Sequence, residues 1–216
     1  MTLLYTAELD YPGTDRAEFA DWYAWRHAPD LFRIGFRSCT CYRAIEGRMG
    51  LLDLYEIPSW DIFTAPSYQA MGPRDPYCAA ILEKRLDKTH TVYRELAPAS
   101  AAPFEADWIS LLRFAAAGVE TEALGDWLRE EEARLAARGA TRLRLAERAT
   151  DHPVYPTRRP RFLVLAEWGE RPPPARDSAT RLVARFGEAL ADLDAFAGAR
   201  LYPWPDDPRA KAAALG

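Results

Sequence analysis

The sequence predicts an α+β protein built from two ferredoxin-like βαββαβ units, packed sheet to sheet. Three observations lead there. Segments of alternating apolar and polar residues exchange with helical segments in the order strand, helix, strand, strand, helix, strand, and that order then repeats. A shift of 105 residues lays Asp21-Trp22 on Asp126-Trp127 and Leu4 on Ile109, and a shift of 111 lays Leu54-Tyr55-Glu56 on Leu165-Ala166-Glu167. A small, Pro-containing stretch, Ala97 to Asp107, separates the two runs. A four-stranded sheet with helices on one face must bury its other face, and a second such sheet supplies the cover.

The first element is Leu3 to Tyr11, where Leu3, Tyr5, Ala7 and Leu9 alternate with Leu4, Thr6, Glu8 and Asp10. Pro12-Gly13 ends it. Thr14 or Asp15 caps a helix reaching about Ala28, with Phe19, Trp22, Tyr23 and Arg26 on one side. Pro29 biases Ala28 out of helical geometry, so the regular helix is expected to stop there. Phe36 to Ile45 and Leu51 to Ile57 read as strands. Ser59 to Leu86 reads as helix broken by prolines, best formed over Tyr77 to Lys88, and Thr89 to Leu96 closes the first unit. In the second unit, strands are expected at Trp108 to Ala115, Thr141 to Ala149, Arg161 to Trp168 and Ala199 to Tyr202. Its helices are expected at Glu120 to Arg138 and Asp177 to Phe196. The domain reading is 1–97, a linker 98–107, a mainly structural second unit 108–203, and a mobile tail 204–216.

With 216 residues, 49% hydrophobic and 28% charged, the composition is that of an ordinary globular chain. The net charge of −4 argues against nucleic acid as a partner. No run of about 18 apolar residues is present, so no membrane partner is expected. Three cysteines form no disulfide framework and the first residues do not read as a signal peptide, so a cytoplasmic location is expected. There is no GxGxxG, P-loop or GxSxG. Cys39-x-Cys41 lacks the spacing and partners of a zinc site, so no metal is expected. Among the carboxylates, Glu8 and Asp53 fall on strands between apolar neighbours. A buried one would be a candidate base, although an Arg pair or a solvated edge is the simpler reading. The run Glu130 to Glu132 reads as a solvated helix face.

The residues Glu18-Phe19-Ala20-Asp21-Trp22-Tyr23, His27-Ala28-Pro29 and Gly35-Phe36 resemble a motif of the dimeric α/β-barrel superfamily, in particular its EthD-like branch. Leu54-Tyr55-Glu56 and Ser67-Tyr68 also fit. The resemblance implies that the two units form a pseudo-dimeric α/β barrel. It also implies a ligand pocket between helices and sheet of the first unit, framed by His27, Tyr23, Trp22, Tyr5, Tyr42 and Tyr55. Imidazole is the common acid or base at neutral pH, and a phenol beside it can donate to a developing oxyanion. His27 at a helix C-terminus would have a raised pKa if burial does not oppose it. The expected roles are catalytic for His27 and Tyr23, and substrate-binding for Trp22, Tyr5, Tyr42 and Tyr55.

The superfamily hosts many reactions. The leading expectation is a cofactor-independent small-molecule enzyme of isomerase, cyclase, dehydratase or decarboxylase type, acting on an aromatic or polyketide-like substrate. A cofactor-free monooxygenase of an electron-rich aromatic and a non-catalytic ligand-binding or structural barrel are the alternatives. No cofactor is expected; His90 and His152 are the residues that would speak for haem. Glu132 replaces His27 in the second unit, so one site per chain is expected. Monomer and homodimer both remain open.

Overall fold

The computed structural model describes residues 3–12, 16–71, 75–97, 106–149 and 159–202. The strands are β1 (Leu3–Asp10), β2 (Ser38–Glu46), β3 (Leu51–Ile57), β4 (Leu86–Ala97), β5 (Trp108–Ala116), β6 (Ala140–Arg148), β7 (Phe162–Trp168) and β8 (Leu190–Tyr202). They close into one antiparallel barrel in the order β1-β3-β2-β8-β5-β7-β6-β4. Each half contributes a four-stranded sheet, β4-β1-β3-β2 or β8-β5-β7-β6. The halves join edge to edge through β2 with β8 and β4 with β6. Closure removes both pairs of open edges, which sheet-to-sheet packing alone would have left unpaired. The linker at 98–105 and the tail from 203 lie outside the described residues, as does His152.

Because successive side chains point to opposite faces, each strand serves two cores. Leu4, Leu52, Leu54, Ile109, Leu111, Leu163 and Leu165 fill the barrel. Tyr5, Ala7, Leu9, Leu51 and Tyr55 face outward, under the helices of the first half. The barrel interior also holds charge. Buried Arg113 on β5 pairs with Glu8 on β1 (2.8 Å) and with Asp194 (2.6 Å), and Arg159 also reaches Glu8 at 2.5 Å. Buried Arg144 on β6 pairs with Glu56 of the other half (2.8 Å) and with Glu167 (3.0 Å), and its Nε lies 3.7 Å from Glu95. Glu8 is thus a structural ion-pair partner.

Two expected helix ends differ from what forms. Pro29 does not stop the first helix. Helix α1 (Arg16–Trp22) runs through one π-helical turn, Tyr23–His27, into α2 (Ala28–Ile34). The Ala28 N–H donates to the Tyr23 carbonyl, five residues back. The wider turn accommodates a proline ring that would otherwise press on the carbonyl four residues earlier. Gly35, at φ +113°, ends the run, and Phe36 N–H returns to Leu31 O (3.0 Å). The rest of the first half's helical cover is short: a 3₁₀ turn at Trp60–Phe63, α3 (Pro66–Gln69) and α4 (Pro76–Glu83).

In the second half, α5 (Thr121–Ala136) is followed after β7 by α6 (Ala175–Phe186). The expected helix to Phe196 ends ten residues early, and Leu190–Gly198 are strand. Alanine-rich composition favours a helix locally, but pairing with β5 along the stretch, and with β2 from Ala197 on, outweighs it. Gly198 marks the contact: a Cβ there would lie 2.8 Å from the Phe196 ring and 3.0 Å from Tyr42 Cβ. Glu131 on α5 corrects the expectation of a solvated acidic face. It is buried and held by Arg134, Arg181 (2.9 Å) and Ser178 (2.6 Å), while Glu130 and Glu132 are exposed.

Removing one partner of a buried charge cluster leaves the others unsatisfied. Arg144→Met is expected to cost about 3–5 kcal/mol at neutral pH by chemical denaturation. It should cost less at pH 5, because burial already pushes up the Glu95 carboxyl, which takes a proton more readily once Arg144 is gone. A loss below about 1 kcal/mol at neutral pH would show that the cluster does not join the halves.

Candidate active site in the first half

The registers of β2, β3, β1 and β4 place Cys41, Asp53, Ala7 and His90 in one row across the outer face. The next row is Cys39, Tyr55, Tyr5 and Val92. Ala7 is the smallest side chain in the central pair of strands, so the first row dips between Asp53 and His90. Over that dip pass the π-helical turn, α2 and α4. They enclose a cavity of about 320 Å³ whose wall includes Tyr5, Trp22, His27, Asp53, Tyr55 and His90. That volume is at the lower end for small-molecule sites.

The π-helical turn and its flanks carry Trp22, Arg26, His27 and Asp30 to the cavity wall. The Trp22 ring stacks on His27 with centroids 4.6 Å apart. Tyr5 stacks on Tyr55 at 5.2 Å, and the Tyr5 hydroxyl lies 2.6 Å from His90 Nδ1. Tyr55 Oη is 3.4 Å from His27 Nε2, a long hydrogen bond. Burial pushes His27 down to about 3, aided by the positive field of Arg85 and by His90, so its imidazole is neutral at pH 7. The expected upward pull of a helix end is absent, because the helical run continues past His27 to Ile34.

Asp53 behaves oppositely. Burial pushes its carboxyl up to about 7, against hydrogen bonds from Cys41 and Tyr55 and the field of Arg85, which hold it down. Its Oδ1 is buried with no hydrogen-bond partner among the described residues. Tyr55 therefore stands between a carboxyl poised near neutrality and a neutral imidazole. That arrangement can accept a proton from a ligand, hold it, and return it.

Of the residues singled out in the sequence, Tyr5, Trp22, His27 and Tyr55 meet at this cavity. Tyr23 does not line it. It is fully buried behind the wall, edge-on to His27 at 5.4 Å, and burial pushes its hydroxyl well above the usual range. Tyr42 lies on the opposite face of β2, inside the barrel, and donates its hydroxyl to the Ala106 carbonyl (2.8 Å). Both placements follow from strand and helix periodicity. Asp53 had a signal in the sequence, a carboxylate on a strand between apolar neighbours, although an Arg pair or a solvated edge was the simpler reading. Arg26 shared a helix side with Trp22, His90 stood out only as a possible haem ligand, and Arg85 had nothing that set it apart. In the second half the corresponding row is Leu145, Val164, Leu112 and Ala195, all apolar, and only about 10 Å³ remains open there.

No family model and no curated protein matches the sequence. Solved structures do match the fold. An anthrone oxidase-like protein superposes with a TM-score of 0.55 at 10% identity, covering 91% of this chain and 90% of that one. A heme-binding protein from Thermus thermophilus gives 0.52 at 14% identity over 100% and 95%. A variant of the chlorite dismutase from Candidatus Nitrospira defluvii gives 0.50 at 9% identity over 99% and 95%. The fold is therefore that of the dimeric α/β barrels, here within a single chain. The expectation of no cofactor is corrected, since a structure matching the whole chain is that of a heme-binding protein. Three histidines scattered through the sequence looked like poor ligands, but folding brings His27 and His90 to one cavity.

A carboxyl whose pKa rises from 3.8 to about 7 on folding stabilises the native state below pH 4 and loses that contribution as pH rises to 7. Asp53→Asn lacks this loss. Relative to the parent, its unfolding free energy should increase steadily from pH 4 to pH 7 in denaturant titrations. A constant difference across that range would mean that Asp53 is ionised throughout.

Proposed function

We propose that the first-half cavity is the active site of a small-molecule enzyme that moves a proton on a flat aromatic or polyketide-like substrate. The observation that carries this reading is Asp53, a buried carboxyl held near pH 7 on the floor of an aromatic-walled cavity. Asp53 takes a proton from an acidic C–H beside a carbonyl, and the electron pair delocalises onto the carbonyl oxygen. Tyr55 and the neutral His27 serve that oxygen as hydrogen-bonding groups, and the proton returns from Asp53 to a second position. Isomerisation, cyclisation and dehydration all begin with this step. Tyr23 acts from behind the wall, holding the His27 ring. The three cysteines are free, which fits a cytoplasmic setting.

A second reading rests on His90. Its Nδ1 is fixed by Tyr5 at 2.6 Å, the kind of partner that orients a metal-bound imidazole. Aromatic walls, the neutral imidazole of His27 and two arginines would face a porphyrin with acidic side chains, whose ring would extend beyond the cavity of about 320 Å³. His90 would hold the iron. Bound there, haem would supply redox and oxygen chemistry.

Anthrone, a flat ketone with an acidic methylene, tests the first reading. Under anaerobic conditions in D₂O the protein should speed exchange of that methylene. Asp53→Asn should lower the rate about a hundredfold or more, and His27→Ala to a similar degree. Exchange no faster than in buffer, with anthrone bound, would sink the proton-transfer reading. Admitting oxygen then separates isomerase from monooxygenase behaviour by oxygen uptake. Adding hemin tests the second reading: a Soret shift lost in His90→Ala supports it, and free-hemin spectra throughout dismiss it.

A further inference from the structure

We propose that Arg85 is the specificity-determining residue of the cavity and that the ligand is a flat molecule bearing a carboxylate, seated with its charge on Arg85 and toward Arg26. This rests on the cavity being a small-molecule site. Both guanidiniums line the cavity, Arg26 exposed at its outer side and Arg85 half-buried. Among the described residues neither has a carboxylate within salt-bridge distance. Arg85 donates only a long hydrogen bond from Nε to the Leu82 carbonyl (3.4 Å), within its own segment.

Three acidic groups of this region are already engaged. Asp30, on the cavity wall, accepts from Arg33 at 2.9 Å. Glu18 is held by Lys84 at 2.6 Å. Asp75, which feels Arg26, caps α4 through the Cys78 N–H (2.8 Å). Asp53 is within the field of Arg85 but makes no ion pair with it, and burial keeps it near neutrality. Of the two imidazoles on the cavity wall, His27 adds no cation to compete for the anion: burial, with the positive field of Arg85, holds it neutral. A half-buried guanidinium beside aromatic walls, with no carboxylate of its own, binds a planar carboxylate through charge-assisted paired hydrogen bonds, which strengthen as water is excluded. An acidic substrate and a porphyrin propionate share this chemistry.

Two probe pairs separate the sources, each measured by titration calorimetry on the full chain. They are 2-naphthoate against the neutral 2-naphthamide, and protoporphyrin IX against its dimethyl ester. The expected result is that one acid binds at least about tenfold tighter than its neutral partner. Arg85→Gln should bring that ratio near one without weakening the neutral probe, which also reports an intact cavity. Arg85→Lys should restore part of the preference. A naphthoate preference points to an acidic substrate, and a preference confined to the porphyrin points to the propionates. Equal binding of acid and neutral probes, or a preference that survives Arg85→Gln, overturns the assignment while leaving the cavity as a small-molecule site. If none of the four probes binds, the small-molecule reading falls with it.

Discussion

Closure of the barrel is the constraint on which everything else depends. Each half presents a sheet with helices on one face only, so the other face and two edges need cover. Pairing β2 with β8 and β4 with β6 satisfies the edges, and the shared interior buries the second face. Charge is part of that interior. Glu8 and Arg113 stand at equivalent places on β1 and β5, 105 residues apart, and meet across the barrel at 2.8 Å. Two identical subunits would bring like residues together at such a place. A single chain is free to set opposite charges there, which makes the two halves complementary rather than interchangeable.

That closed frame holds both outer faces to nearly the same backbone, and side-chain size decides what each face does. Ala7 leaves a hollow of about 320 Å³, and beside Leu112 there is one of about 10 Å³. Asp53 stands where the other half has Val164, and His90 where it has Ala195. Burying Asp53 without a full set of partners costs stability. A core built for stability alone would carry a residue like Val164 there. The cost is borne on the side where the cavity lies. The π-helical turn belongs to the same trade. It carries Pro29 inside a helical run and leaves Trp22, Arg26 and His27 around the cavity.

Much of this was legible in the sequence because it is local. The alternation in Leu3 to Tyr11 already separates a barrel face from a helix face, and Leu51 to Ile57 forms as the pattern indicates. Trp22 and His27 share a helix, so their proximity follows from spacing alone. The errors came where a distant partner overrides a local preference. Leu190–Gly198 looks helical until β5 pairs along it. Tyr42 looks like a pocket residue until the pleat turns it into the barrel. Pro29 looks like a stop because the five-residue hydrogen bond that rescues it has no sequence signature.

By itself the sequence determined the element order, the two-unit architecture, and the aromatic and histidine residues of the first helix. These are set by periodicity and turn chemistry within a few residues of chain. Tertiary structure decided that the sheets close edge to edge and that Glu8 is an ion-pair partner while Asp53 faces a cavity. It also brought His90 and Arg85 to His27 across about sixty residues of chain. Strand register is the physical reason. A carboxylate on a strand reads the same whether its row ends on an arginine or on an empty space beside alanine, and only the pairing of β3, β1 and β4 says which.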